Sequence, residues 1–233
     1  MPARRCLPFR LAGLDNCRRD GQYCAWMNDK AMIVRQYEAR DRAAVRAICC
    51  DTADAGAPID RYFPDREVFA DVLTRYYTDF APAASWVAEE NGKVVGYLTG
   101  CLDTRQFLRT MAWRIVPAAL VKAVAHGSLW HRFVRQNLRR PASQRRQLIE
   151  KFPAHLHLNL REGHRHHGAG KQLLEKFLAQ AGHLGIHAGV GETNLAGRKF
   201  FERAGFLIIG REDRFRFTDQ PAVTLLYGFA ARR

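Results

Sequence analysis

The chain of 233 residues carries 37 Lys and Arg against 23 Asp and Glu, a net charge of +14, and 47% of its residues are hydrophobic. That mixture excludes a disordered or fibrous chain and suits one core with embellishments, while no apolar run approaches the ~20 residues that span a bilayer. Residues 1–26 hold Arg4, Arg5, Arg10, Arg18 and Arg19 without an apolar h-region, so no secretory signal is read and a soluble, cytoplasmic protein is expected.

Residues 1–30 lack an apolar period and are read as an N-terminal extension, flexible or upstream of the true start, to a single domain over 31–233. A first strand is predicted over 32–37 and a short helix over 40–50. A second helix starts at Asp65, whose side chain suits an N-cap, and continues through Val68, Phe69, Val72, Leu73, Tyr76, Tyr77 and Phe80, an apolar stripe that reads as core. Strands over 85–90 and 93–101 flank Asn91-Gly92, the residue pair of a two-residue hairpin turn. Residues 104–151 follow with eleven Lys or Arg against one acid, Glu150, interleaved with Trp113, Trp130 and aliphatic residues. This stretch is read as a basic helical insertion between strands three and four. A strand over 154–160, a helix from about 168 to 181, a strand over 186–191 and a helix over 194–204 come next. Two strands, 206–217 and 223–229, close the sheet around a turn at Asp219 to Pro221.

Two patterns in this last third carry chemistry. Arg165-His166-His167-Gly168-Ala169-Gly170-Lys171 lies between a strand and an amphipathic helix. Glycines there remove β-carbons where a backbone must approach a ligand, and the helix start offers free N–H groups and a positive dipole end to a phosphate. About 24 residues later comes Asn194-Leu-Ala-Gly-Arg-Lys-Phe-Phe201-Glu-Arg-Ala-Gly205-Phe206. In this order the two motifs resemble the GCN5-related N-acetyltransferases (GNAT), with the match running from about Phe152 to Phe229. The resemblance implies an α/β fold, a central mixed, mostly antiparallel sheet flanked by helices. It also implies acetyl-CoA as co-substrate, direct transfer to an amine in a ternary complex, and no metal. Carried over position by position, it assigns pantetheine contacts to the backbone of Leu158, Asn159 and Leu160. Pyrophosphate contacts fall to Arg165, His166, His167, Gly168, Ala169, Gly170 and Lys171, and a further cofactor contact to Asn194, which also suits the N-cap of its helix.

The family's tyrosine acid, seven residues after the asparagine, is replaced here by Phe201, and a glutamate that some members place five residues before the asparagine by Gly189. Candidate catalytic groups are therefore His155 and His157, which with Asn159 share one face of their strand; an imidazole suits a base near neutrality. A gapless match sets the family's histidines one residue away, so a strand bulge decides the face. Tyr97 and Tyr227 are alternative acids. The histidine-rich stretch from His155 to His167 lacks zinc ligand spacings, and Cys6, Cys17, Cys24, Cys49, Cys50 and Cys101 form neither a metal site nor a disulfide framework. The leading expectation is an N-acetyltransferase, monomeric or homodimeric. Its cationic insertion favours an amine acceptor bearing anionic groups. The alternative is a non-catalytic protein of the same fold whose Arg-rich segment docks on RNA or an anionic membrane.

Overall fold

The computed structural model describes residues 32–61, 63, 65–127, 142–165, 167–215 and 221–231. Among them seven strands form one sheet in the order β1-β2-β3-β4-β5-β7-β6. They are β1 (Ile33–Gln36), β2 (Ser85–Glu90), β3 (Lys93–Cys101), β4 (Ala154–Leu160), β5 (Ile186–Gly191), β6 (Leu207–Phe215) and β7 (Pro221–Phe229). Helices α1 (Arg42–Thr52), α2 (Arg66–Arg75), α3 (Thr104–Thr110), α4 (Val116–Ala125), α5 (Ala142–Lys151), α6 (Ala169–Ala181) and α7 (Leu195–Arg203) complete the described chain. All strand pairs are antiparallel except β4 with β5, so the sheet is mixed and mostly antiparallel, as the resemblance implied.

The local chemistry accounts for these elements. Asn91 and Gly92 both take positive φ, 52° and 74°, the geometry a two-residue hairpin needs to match the twist of β2 and β3. Asp65 accepts from the Val68 N–H and caps α2, and Asp103 accepts from the Arg105 and Gln106 N–H groups at the start of α3. Wider π-type turns at Tyr76–Phe80 and Met111–Ile115, absent from the sequence expectation, extend α2 and join α3 to α4. Helical chain does lie between β3 and β4. Residues 128–141 of that basic segment, with Trp130, lie outside the described residues, as do residues 1–31 and most of the turn expected at Asp219 to Pro221.

One core joins β2 to β5 and β7 to α6 and α7 through Leu98, Leu156, Leu173, Leu174, Phe177, Phe201 and Phe206. On the other side of the sheet Val87 and Tyr97 pack with Val45, Ile48 and Cys49 of α1, Phe69 of α2 and Ala119 and Ala123 of α4. A smaller cluster of Tyr76, Tyr77, Cys101 and Ile115, with Phe107 and Met111 against it, sits at the β4 end of that second layer. Buried Asp71 of α2 ties three helices of that second layer together, accepting from Arg46 of α1 at 2.5 Å and Lys122 of α4 at 2.8 Å.

Candidate functional site

Strand β4 has side chains of two kinds. Leu156 is buried on the α6 side, with Leu158 and Leu160 packed against the same core, whereas His155, His157 and Asn159 project toward α1, α2 and α3. The β3–β4 register runs unbroken from Gly96↔Leu160 to Cys101↔His155. No bulge interrupts it, so the period-two reading of the faces holds along the whole strand.

The sheet opens between β4 and β5. The two strands pair only at Ala154↔Ile186 and His155↔His187; beyond that β4 follows β3, and β5 follows β7 as far as Gly191↔Thr224. The Ala154 N–H donates to the Gly185 carbonyl on the β5 side, and the Arg161 N–H donates to the Val95 carbonyl on the β3 side. By strand alternation Leu158 and Leu160 turn their main-chain groups into the opening, and Asn159 turns its own toward Tyr97. Of the three residues assigned to pantetheine, Leu158 and Leu160 therefore face the gap. Asn159 instead uses its side chain, donating from Nδ2 to Thr52 Oγ1 at 2.7 Å.

At the far end of β4 the chain turns into α6. Gly168, with φ of 82°, is its N-cap residue, and no side chain caps the helix. The first-turn N–H groups of Ala169, Gly170 and Lys171 have no carbonyl available within the helix, and no acid occupies that turn. The two glycines do different work. A β-carbon on Gly168 would meet only the tip of Gln172, so its φ is what demands glycine. One on Gly170 would come within 3.3 Å of the Phe200 ring, so Gly170 serves the contact between α6 and α7. Arg165 donates from Nε to the Leu160 carbonyl and lays its guanidinium against Gly56. His167 is exposed, Lys171 reaches 3.7 Å from Glu175 along the helix, and His166 lies outside the described residues. Asn194 caps α7, accepting from the Gly197 N–H at 2.9 Å.

The two candidate histidines have different surroundings. Thr104 Oγ1 lies 2.6 Å from the Pro153 carbonyl, which only accepts, so the hydroxyl donates there. The same oxygen, 2.7 Å from His155 Nδ1, therefore accepts the imidazole proton. His155 Nε2 is left as an acceptor and takes the Tyr77 hydroxyl at 2.8 Å. Both ring nitrogens are engaged and both partners are buried. Desolvation, with His157 and His187 adding, drives the His155 pKa far below its ordinary value, so it stays neutral.

His157 is open to solvent, its ring centroid 5.7 Å from that of Tyr77 and 6.1 Å from that of His155. The neighbouring rings still exclude enough water that desolvation, reinforced by His187, pushes its pKa down to about 4. It presents a neutral imidazole on the exposed, helix-bearing side of β4, at the groove that opens where β4 and β5 cease to pair. His187, across from His155 on β5, donates from Nδ1 to the Phe152 carbonyl at 2.8 Å. The alternative acids are placed elsewhere. Tyr97 is buried against Cys49, and the buried Tyr227 donates its hydroxyl to Glu202 at 2.8 Å.

Tyr77, Thr104 and His187 were not singled out from the sequence. Tyr77 looked like one more member of an apolar helical stripe and Thr104 like an ordinary helix start.

The sequence pattern of the acetyltransferase (GNAT) family matches residues 58–206. The chain belongs to this family. The crystal structure of SsHAT superposes with a TM-score of 0.67 at 25% identity, over 87% of this chain and 100% of that one. The structure of yncA from Salmonella typhimurium with its cofactor acetyl-CoA gives a TM-score of 0.54 at 17% identity, covering 87% of this chain and 95% of that one. Ribosomal-protein-alanine N-acetyltransferase from Brucella melitensis gives 0.51 at 17%, covering 85% and 99%. The GNAT fold binds acetyl-CoA. In this GNAT chain position 201 is a buried phenylalanine stacked on Tyr227 with ring centroids 5.9 Å apart, and it has no proton to give. Among the described residues no cluster of three or more His, Cys, Asp or Glu is arranged to hold a metal, and no helix is long and apolar enough to cross a membrane.

Proposed function

We propose that the protein is an acetyl-CoA-dependent N-acetyltransferase in which His157 accepts the proton released by the acceptor amine. The observation that carries the reading is the opening between β4 and β5, with the main-chain groups of Leu158 and Leu160 on its edge and the uncapped start of α6 at its end. A pantetheine arm fits the first as an added strand fits a sheet edge, and a pyrophosphate fits the second. We assign the pyrophosphate contacts at that end to Arg165, His167 and Gly168 to Lys171, and a further contact to Asn194, which caps the neighbouring helix.

Acetyl-CoA supplies the thioester carbonyl that an uncharged amine attacks, with CoA thiolate as the leaving group. His157 is the one imidazole of β4 with a nitrogen open to the groove. It is unprotonated at neutral pH and so free to take the amine proton directly or through water, although a pKa near 4 makes it a weaker base than an ordinary imidazole. His155 cannot share that task while Tyr77 and Thr104 occupy its two nitrogens; it holds the floor of the groove. With Phe201 in place of the family tyrosine, water protonates the departing thiolate. Helix α3, which meets His155 through Thr104, carries Arg105 and Arg109 and no acid, so an amine bearing carboxylate or phosphate suits the site better than a polycation.

The test is CoA thiol release with acetyl-CoA and a panel of anionic and cationic amines, alongside His157→Ala. The base role predicts a fall in kcat of about 10²–10⁴ with acetyl-CoA affinity retained. Unchanged kcat in the variant removes His157 from the mechanism. Absence of acetyl-CoA binding by the unaltered protein removes the enzyme reading altogether.

A further inference from the structure

Apart from Lys122, helix α4 is apolar on both sides. Ile115, Ala119 and Ala123 face inward and are buried. Lys122, the one charged side chain of α4, has its ammonium drawn inward, 2.8 Å from Asp71 and 3.2 Å from Glu67. On the outward side Trp113 is 82% exposed, Val121 73% and Val124 81%, with Pro117, Ala118 and Ala125 exposed between and beside them. A helix apolar all round belongs in an apolar medium, and contiguous exposed apolar side chains mark an interaction surface.

The charges around the patch name the medium. Arg109 and Arg114 are exposed at its N-terminal end, Arg114 lying 4.9 Å over the Phe80 ring; neither α3 nor α4 carries an acid, and Glu67 and Asp65, beside α4, are engaged by Lys122 and His126. Two copies of the chain meeting on this face would bring like charges together. A nucleic acid would find one tryptophan to stack on and, along α4, aliphatic side chains without donors. An anionic bilayer satisfies both halves: valines and proline enter the headgroup and acyl boundary, tryptophan prefers that depth, and arginines meet lipid phosphate. We propose that the outer face of Trp113, Pro117, Val121 and Val124, with Arg109 and Arg114, docks the protein on a membrane surface rich in anionic phospholipid. The helix lies in the plane of that surface. Phe107 of α3 contacts His155 with ring centroids 4.7 Å apart, so the docked face is continuous with the helix that walls the groove.

Co-sedimentation of the full chain with phosphatidylcholine vesicles, and with vesicles containing about a third phosphatidylglycerol, tests this. Expected are binding to the anionic vesicles only, a steep loss with salt, and about fivefold weaker partitioning for each of Arg109→Gln and Arg114→Gln. The triple variant Trp113→Ser, Val121→Ser, Val124→Ser should bind at least about tenfold more weakly while its thermal melt stays that of the unaltered protein. No sedimentation with anionic vesicles overturns the proposal. So does vesicle binding undiminished in the triple variant, which assigns the attraction to other basic residues. Self-association or RNA binding that the triple variant loses, without lipid binding, gives the face to a different occupant and likewise overturns it. None of these readouts depends on acetyl transfer.

Discussion

Replacing Tyr77 by Phe removes a single oxygen from the middle of the protein, and the structure fixes what that oxygen does. It donates to His155 Nε2 at 2.8 Å in a place where both side chains are buried. The phenylalanine ring keeps the edge contacts with Tyr76 and His155, so packing is nearly conserved and the hydrogen bond is the only loss. His155 cannot recover by switching tautomer, because its Nδ1 proton is already given to Thr104, whose own proton goes to Pro153. A buried acceptor left without a donor costs about 1–3 kcal/mol, a Tm shift of about 2–4 °C for each kcal/mol in a chain of this size. His155→Leu alone should cost a similar amount by stranding the Tyr77 hydroxyl. The double variant should lose less than the sum of the two by about 1–2 kcal/mol, since neither polar group is then left alone. Urea unfolding of the four proteins measures the cycle. Additive costs, or a Tyr77→Phe protein within about 0.5 kcal/mol of the original, would refute the claim that this chain of hydrogen bonds organises the groove floor. The pH dependence adds a check of sign. Above the ordinary imidazole pKa of about 6.5 both native and unfolded His155 are neutral. As pH falls below that value the unfolded chain takes up a proton the native state refuses, so stability declines. His155→Leu should flatten that decline.

The titration of His157 predicts the shape of the activity profile. With its pKa near 4, the acid limb of kcat should lie near pH 4 without a break near 6.5, and kcat/KM for the acceptor should instead rise as the acceptor's own ammonium loses its proton; an inflection near 6.5 that His157→Ala abolishes would show an unperturbed imidazole. Gly168→Val forces a β-branched residue to φ of 82° and places side chain at the start of α6; calorimetry should show acetyl-CoA binding abolished, with about 1–2 kcal/mol of stability lost in urea unfolding. Asn194→Ala removes the cap on the Gly197 N–H and should cost about 1 kcal/mol in the same measurement. At Asp71 desolvation raises the carboxyl pKa, but hydrogen bonds from Lys122 and Arg46 outweigh it and hold the value below that of a free carboxylate. The stability it contributes is thus present above the unfolded pKa of about 3.9 and lost as pH falls through the lower folded value. Asp71→Asn should cost about 2–3 kcal/mol at pH 7 and flatten that acid limb, the cost being moderated because Lys122 is 34% exposed.

The parts of the fold legible in the sequence were those set by local chemistry. Asn91-Gly92 announced the hairpin, Asp65 the start of α2, and the alternation of His155, Leu156, His157, Leu158, Asn159 and Leu160 the two faces of β4. Each signal lies within a few residues of its consequence. What stayed hidden was non-local. Tyr77 lies 78 residues from His155 in the chain, and the pattern that places it, an apolar stripe, says only that the ring is buried and nothing of where its hydroxyl points. The separate roles of Gly168 and Gly170 followed the same rule: a φ of 82° is a local demand that the motif reveals, whereas room for the Phe200 ring depends on how α7 returns over α6.

The separation of His155 from His157 is a consequence of the pleat meeting two different neighbours. Both point to the same side of β4, so the strand alone makes them equivalent. The second layer breaks the equivalence. Tyr77 and Phe107 pack over His155, whereas over Asn159 the end of α1 arrives with Thr52, and His157 falls between these two supports. The gap between two packed elements is where a group can be both held and reachable, and it lies beside the point where β4 and β5 cease to pair. On the proposed reading an acceptor amine comes from the open side and a thioester from the strand opening, His157 serves as the base at the one β4 position left exposed, and His155, one pleat nearer the strand's start, holds that position in place.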